Sequence, residues 1–346
     1  MTGTLRILSA GPAMTVQDLG REGFLAHGLT RGGAADVLAL YEGAALLGQS
    51  PELAALEMVG MGGTFKTDKD TMIALTGARM TAKIDNAPLI WNASHLLPAG
   101  AKLSIGGAVE GTYGYLSVAG GIDVAKTMGA RSSHLTAGVG RLLRPDETLP
   151  LTKAVSGKAA SFIVPEGRMA GGTIRVVPSI QTDQFTRETL DRFAKTEFRR
   201  DPRGNRQGVR MASDGDGFFV DGGLSIVSEI IIEGDIQITG DGAPYVLMCE
   251  CQTTGGYPRI GTVLPSDLPR VAQAPVGASL RFQFVTLEEA RQIEQRARAD
   301  RKALAGRVEP LVRDPSDIPD LLSYQLVGGV VSATADPFTH QKEISQ

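Results

Sequence analysis

The chain has 346 residues, 42% hydrophobic and 21% charged, which is the composition of a folded protein long enough to bury its own core and, by length, of about two domains. Its 35 basic and 38 acidic residues leave a net charge of −3, which excludes an electrostatic case for nucleic acid or an anionic membrane surface. No apolar run approaches the ~18 residues of a membrane span, and Met1–Arg6 lacks the charged-then-apolar pattern of a signal peptide; a cytoplasmic protein is expected.

Taken in chain order, the elements are short. Ala34–Leu47 carries apolar residues on one face and ends at Gly48, a helix with its stop. Met72–Leu75, Leu103–Ile105 and Tyr113–Ala119 read as strands punctuated by Gly, Pro, Asn and Asp, and Ile174–Val177, Ile226–Ile232 and Ala243–Cys249 continue the texture in the second half. Helices are predicted over Thr182–Phe198 and from Thr286 to Leu304, the latter opened by the capping box Thr286-Leu287-Glu288-Glu289. The 43 glycines and the scarcity of long helical periodicity predict a mainly β fold of short strands in barrels or sandwiches.

The halves echo each other. Asp85-Asn86-Ala87-Pro88 parallels Asp241-Gly242-Ala243-Pro244, and Pro98-Ala99-Gly100-Ala101 parallels Pro275-Val276-Gly277-Ala278. Either two Gly/Pro-rich hairpins coincide, or two related β units are present and the second, longer between these landmarks, has grown an insertion. The linker composition of Lys153–Lys158 and Gly171-Gly172 divides the chain into residues 1–152, residues 172–304 and an extended tail, 305–346, rich in Arg, Pro and Asp.

No self-sufficient catalytic motif is present: no G-x-x-x-x-G-K-[ST] phosphate loop, no G-x-S-x-G elbow and no H-E-x-x-H. Cys249 and Cys251 point to one face of a strand and read as structural thiols, the four histidines are scattered, and no metal-ligand pattern emerges. The stretch Gln252-Thr253-Thr254-Gly255-Gly256-Tyr257-Pro258 is richer than a turn requires. A glycine pair lets backbone N–H groups approach a ligand, while an amide, two hydroxyls and a phenol aim at it; the plain alternative is a polar loop. Glu250, at the end of an apolar strand, either pairs with an arginine or, desolvated, has its pKa raised and serves as a base. Asp18 and Arg21 either pair with each other or free Arg21 for a substrate carboxylate. His134 reads as a surface histidine.

The run Gln252–Val263 resembles a signature of the allophanate hydrolase subunit 2, or biotin-dependent carboxyltransferase, family, which includes 5-oxoprolinase C-type subunits and the carboxyltransferase region of urea carboxylase. Thr15–Gly23, Gly33–Asp36, Leu116–Val124 and Leu264–Gln273 are similar to further family segments in the same order. In the segment around Asn205–Arg210, Gln207 and Val209 depart from the family's methionine and aromatic residue, and Glu250 stands where relatives carry an aspartate or similar acid.

The resemblance implies two cyclophilin-like β-barrel domains with a few helices. It implies a subunit of an ATP-dependent 5-oxoprolinase opening a lactam to glutamate, inactive alone, with a subunit-1-type protein and an A-type subunit as partners and a small amide as substrate. The alternatives are the carboxyltransferase half of a urea-type carboxylase, with biotin on a partner since no Met-Lys-Met acceptor is present, and a non-enzymatic regulator that binds its partner. Glu250, Gln252 and Tyr257 are the expected catalytic residues. Arg21, Arg206, Thr253, Thr254, Gly255 and Gly256 are expected to bind substrate in a cleft between the domains, with ATP bound somewhere in the complex.

Overall fold

The computed structural model describes residues 3–153, 160–220 and 227–311, and Met1–Leu311 forms one compact unit. Outside the described residues lie most of the linker run after Lys153, Ile226 of the strand expected to start there, and the tail segments Asp314–Asp320 and Thr339–Gln346.

Eleven strands build the first sheet. Its spine is the antiparallel pair Thr71–Ile84 and Leu103–Val118, with Ile73 opposite Val118 and Ile84 opposite Leu103. Glycines between Ile105 and Tyr113 suggest two strands in the sequence; the ladder absorbs them instead. The register shifts between Gly77 and Ala82, and Gly77 and Gly111 take φ of 71° and 80°, as bulges do. Ala55–Val59 lies against the end of this spine, Glu57 opposite Tyr115, and pairs outward with Thr15–Gln17. Ser161–Phe162 and Glu309–Pro310 extend the edge, so the start of the expected tail is tied to the first sheet.

Seven strands between Gly172 and Phe284 close into a barrel in which Gly172–Val177 runs parallel to Ser279–Phe284. Phe193, Phe198, Phe218 and Phe282 fill it, the rings of Phe193 and Phe282 stacking at 5.0 Å. The fold is therefore mainly β with few helices.

The echoed sequences form matching turns. Ile84–Ala87 and Thr239–Ala243 each close a hairpin, and the N–H of Ala101 bonds Pro98 O as that of Ala278 bonds Pro275 O, with Gly100 and Gly277 at φ of 76° and 80°.

Helix α1, Val37–Leu47, starts three residues later than expected, because Asp36 caps it by accepting the Ala39 N–H while Ala34 and Ala35 bond back to Asp18 O and Glu57. It ends at Gly48, φ 63°. Helix α2, Arg187–Lys195, is shorter than expected: Thr182–Gln184 is a separate 3-10 turn and Phe198 already belongs to a strand. Helix α3, Leu268–Gln273, is not foreseen, since Pro269 reads as a breaker but stands in the first turn, where proline costs no hydrogen bond. Helix α4, Leu287–Ala303, opens on the expected capping box.

Two polar hubs join barrel and sheet. Gln273 donates to Asp36 and Tyr113 O and accepts from the N–H groups of Thr112 and Tyr113, all within 2.7–2.9 Å. Arg168 is clamped by Asp36 and by both oxygens of Glu42 at 2.8 Å. Every donor and acceptor here is matched, which fixes one relative placement of the two sheets.

Candidate functional site

Where the barrel meets the first sheet, a charged cluster is buried. Glu57 projects from Ala55–Val59, fully buried; one oxygen accepts from Tyr115 Oη (2.7 Å) and Ala35 N (2.9 Å), and the other meets Arg206 Nη1 at 2.5 Å. Arg206, from the turn before the strand Gly208–Ala212, also donates from Nε to Glu250 Oε1 (2.6 Å) and from Nη2 to Gly33 O (2.6 Å). One guanidinium is thus shared by an acid from each β unit. Burial works against its charge, but Cys249, Glu57 and Glu250 outweigh that and hold it more firmly protonated than usual.

Glu250 follows the strand Pro244–Leu247 and is buried. Its second oxygen accepts from Thr136 N (3.1 Å) and Thr136 Oγ1 (3.2 Å). Of the two readings of Glu250, the arginine pair is the one present, and the raised pKa is not. Burial does push it up, but the charge and hydrogen bond of Arg206 and the Thr136 N–H bring the carboxyl below its ordinary value, leaving an ionised acceptor and a weak base.

His134 is no surface residue. It is buried, caps the 3-10 turn Leu135–Ala137 and lies 3.9 Å from Glu250. Nδ1 accepts the Ala137 N–H (3.2 Å), so Nε2 carries the proton, donated to Thr30 Oγ1 (3.0 Å), which in turn donates to Cys251 O (3.0 Å). Burial lowers its pKa, with Arg21 and Arg206 adding to that against Glu250, so the ring is neutral.

Arg21 is also buried, bonded through Nη2 to Ser132 O. The alternative of a pair with Asp18 does not hold: Asp18 accepts from Gly20 N (2.9 Å) and Arg131 N (2.6 Å). A methyl group on Gly32 would lie 3.1 Å from both Arg21 Nη1 and His134 Cδ2, which places these two side chains around one point.

The Gln252–Tyr257 stretch is split off from this cluster. Thr254-Gly255 pairs with Glu229-Ile230 as a small ribbon, Gln252 and Thr254 are exposed, Thr253 and Gly256 are half-buried, and Tyr257 is 43% exposed. A Cβ on Gly255 would sit 2.5 Å from Gln237 Nε2 and 3.0 Å from Ile231 Cδ1, so any larger residue there would displace these side-chain ends. A cavity of ≈ 610 Å³ opens nearby, its wall including Ala35 and the Arg31–Glu233 pair, but no residue of Glu250–Tyr257 lines it.

The structure therefore gathers Arg21, Arg206 and Glu250 of the expected residues and adds Glu57, His134, Thr30 and Thr136. A lone acid inside Ala54-Ala55-Leu56-Glu57-Met58-Val59 was the available signal for Glu57. Among the described residues no helix is long and apolar enough to cross a membrane.

Residues 27–284 match the family model described as carboxyltransferase domain, subdomain A and B. The chain is 35% identical over 300 residues to the 5-oxoprolinase C-type subunit of Escherichia coli (strain K12), covering 84% of this chain and 96% of that one. It is 31% identical to the corresponding 5-oxoprolinase C-type subunit of Haemophilus influenzae, covering 84% and 94%. In fold it is similar to the urea amidolyase of K. lactis, at a TM-score of 0.79 and 23% identity over 90% of this chain but only 21% of that protein's length.

Proposed function

The chain belongs to the carboxyltransferase domain, subdomain A and B family, and from that premise we propose that it is the C-type subunit of an ATP-dependent 5-oxoprolinase, working with a subunit-1-type protein and an A-type subunit. The observation that carries this reading is the end-to-end match: 96% of the E. coli C-type subunit is covered, against about a fifth of the urea amidolyase. A lactam is an unactivated amide. Phosphorylation of its oxygen by ATP, with release of ADP, makes the carbonyl carbon reactive to water; water adds, the ring C–N bond breaks, and inorganic phosphate leaves to give glutamate. The sequence has no G-x-x-x-x-G-K-[ST] phosphate loop, so ATP is bound in the assembly either by a partner subunit or by another phosphate-binding device.

Within the chain, Arg206 is consumed by Glu57, Glu250 and Gly33 O, which makes it an anchor and leaves Arg21 as the cation for the substrate. Glu250, ionised, holds Arg206 and Thr136 in place. His134, kept neutral by burial and aligned through Thr30, is the proton-transfer group beside Arg21. Gln252, Thr253, Thr254, Gly255, Gly256 and Tyr257 form a polar rim for the substrate or for the partner protein.

The test is reconstitution. The purified chain alone should show negligible turnover of ATP or 5-oxoproline, and the three-component assembly should form glutamate with ATP consumption. Carboxylation of urea in the presence of a biotin carrier and carboxylase, with no ring opening, would replace this reading by the carboxyltransferase one. Full activity of the isolated chain would remove the need for partners.

A further inference from the structure

Arg21 is 3% exposed, yet among the described residues Nε and Nη1 have no hydrogen-bond partner; the guanidinium bonds there through Nη2 to Ser132 O. The Ser132 hydroxyl is likewise buried and unpartnered. Burial pulls the arginine's pKa down against the opposing charges of Asp18 and Glu250. A guanidinium kept out of water with one neutral acceptor is costly to the fold, and its neighbouring aspartate is spent on the N–H groups of Gly20 and Arg131. That is the state of a group built to meet an anion.

What covers it is a loop whose ends touch. Arg21 N bonds Arg31 O at 2.9 Å, and a Cβ on Gly33 would lie 2.7 Å from Gly20 N. Gly20, Gly23, Gly28, Gly32 and Gly33 all take positive φ within this one excursion. Gly32 lies over the guanidinium, and the loop is held down by Gly32 N to Cys249 O, Thr30 Oγ1 to Cys251 O and the Arg31–Glu233 pair. The stretch from Glu22 to Gly28 is largely exposed.

We infer that Arg21 and the Ser132 hydroxyl form a receptor for a single carboxylate group, covered by the Gly20–Gly33 loop and set beside His134. Three acids, Asp18, Glu57 and Glu250, already surround Arg21 and Arg206, which favours a singly charged planar anion over a phosphate. The inference rests on the 5-oxoprolinase reading only for its main probe: 5-oxoproline carries one carboxylate, and 2-pyrrolidinone is the same lactam without it.

The full chain is titrated at constant ionic strength with 5-oxoproline, acetate, 2-pyrrolidinone and inorganic phosphate, with binding read by calorimetry and melting and the loop by amide hydrogen exchange. Wild type should bind both carboxylates, ignore 2-pyrrolidinone, and show slowed exchange across residues 22–32 with 5-oxoproline. Arg21→Met should melt at or above wild type, since it removes an unpaired buried charge, and bind the carboxylates about 10- to 100-fold more weakly. Ser132→Ala, which keeps the charge, should melt normally and bind several-fold more weakly. Indifference of wild type to both carboxylates, equal binding of 2-pyrrolidinone, a response to phosphate alone, unchanged affinity in Arg21→Met, or an Arg21→Met chain that melts far below wild type would each overturn the inference. If the assembly fails to open 5-oxoproline while the chain still binds acetate through Arg21, the enzymatic reading falls and the receptor stands.

Discussion

Substituting Arg206 and substituting Glu250 should have unequal costs, although the two side chains are partners. In Glu250→Gln, Arg206 keeps the Glu57 carboxylate at 2.5 Å and the Gly33 carbonyl at 2.6 Å, so no charge is orphaned. The loss is one charge-assisted bond of 2.6 Å and a weaker acceptor for Thr136, about 1–3 kcal/mol. In Arg206→Met, Glu57 and Glu250, whose side chains are 0% and 2% exposed, lose their shared cation, and a buried pair broken in that way costs about 3–5 kcal/mol. The gap of ~2 kcal/mol is about a 30-fold difference in the folded-to-unfolded ratio. Urea unfolding of the full chain near neutral pH measures it. The same experiment in acid carries a sign: the folded Glu250 pKa is depressed, so the wild-type advantage over Glu250→Gln is complete above the ordinary value of 4.5 and is lost as the pH falls through the folded value. Equal costs for the two variants, or a Glu250→Gln deficit that grows in acid, would refute the shared-cation account.

Three further outcomes are expected. Gly33→Ala, at φ 76° and with a Cβ 2.7–2.8 Å from Gly20 backbone atoms, should destabilise by more than ~2 kcal/mol, whereas Gly23→Ala, at φ 87° with nothing within 4 Å, should cost only ~1–2 kcal/mol; comparative thermal melting decides whether loop closure is as tight as described. Thr286→Ala removes the hydroxyl half of the capping box, leaving the backbone N–H of residue 286 to donate to Glu289, and should cost ~1 kcal/mol, seen as faster amide exchange in the first turn of α4 with the barrel unaffected. The Cys249 thiol, fully buried with its pKa pushed up to about 12 by burial, and the buried Cys251 should both resist a thiol reagent at pH 8 in the native chain and react after denaturation; prompt native reaction would show that this segment opens.

Signals that act between near neighbours were readable along the chain. The capping box placed α4, Gly48 ended α1, and the repeated Asp-x-Ala-Pro and Pro-x-Gly-Ala sequences fold into the same turns in both halves, because such turns are decided by a few φ values and one or two local hydrogen bonds. The ordered family segments likewise carried the mainly β fold and the family itself. Glycines misled where they stood in a strand: the spine of the first sheet runs through Gly106 to Gly114 because cross-strand partners restore what local propensity withholds.

The site was another matter. Arg206 and Glu250 were singled out separately, but their mutual bond, the third partner Glu57 and the burial of His134 belong to tertiary structure. Arg206 reaches Glu57 across 149 residues of sequence and Glu250 across 44, and Glu250 reaches Thr136 across 114. A side chain's charge state follows from burial and from the sign of its neighbours. Those neighbours are supplied by two sheets docking, so the sequence determined which ionisable groups were available and the packing decided that Glu250 is an ionised clamp, His134 a neutral imidazole and Arg21 a buried cation with two nitrogens unmatched.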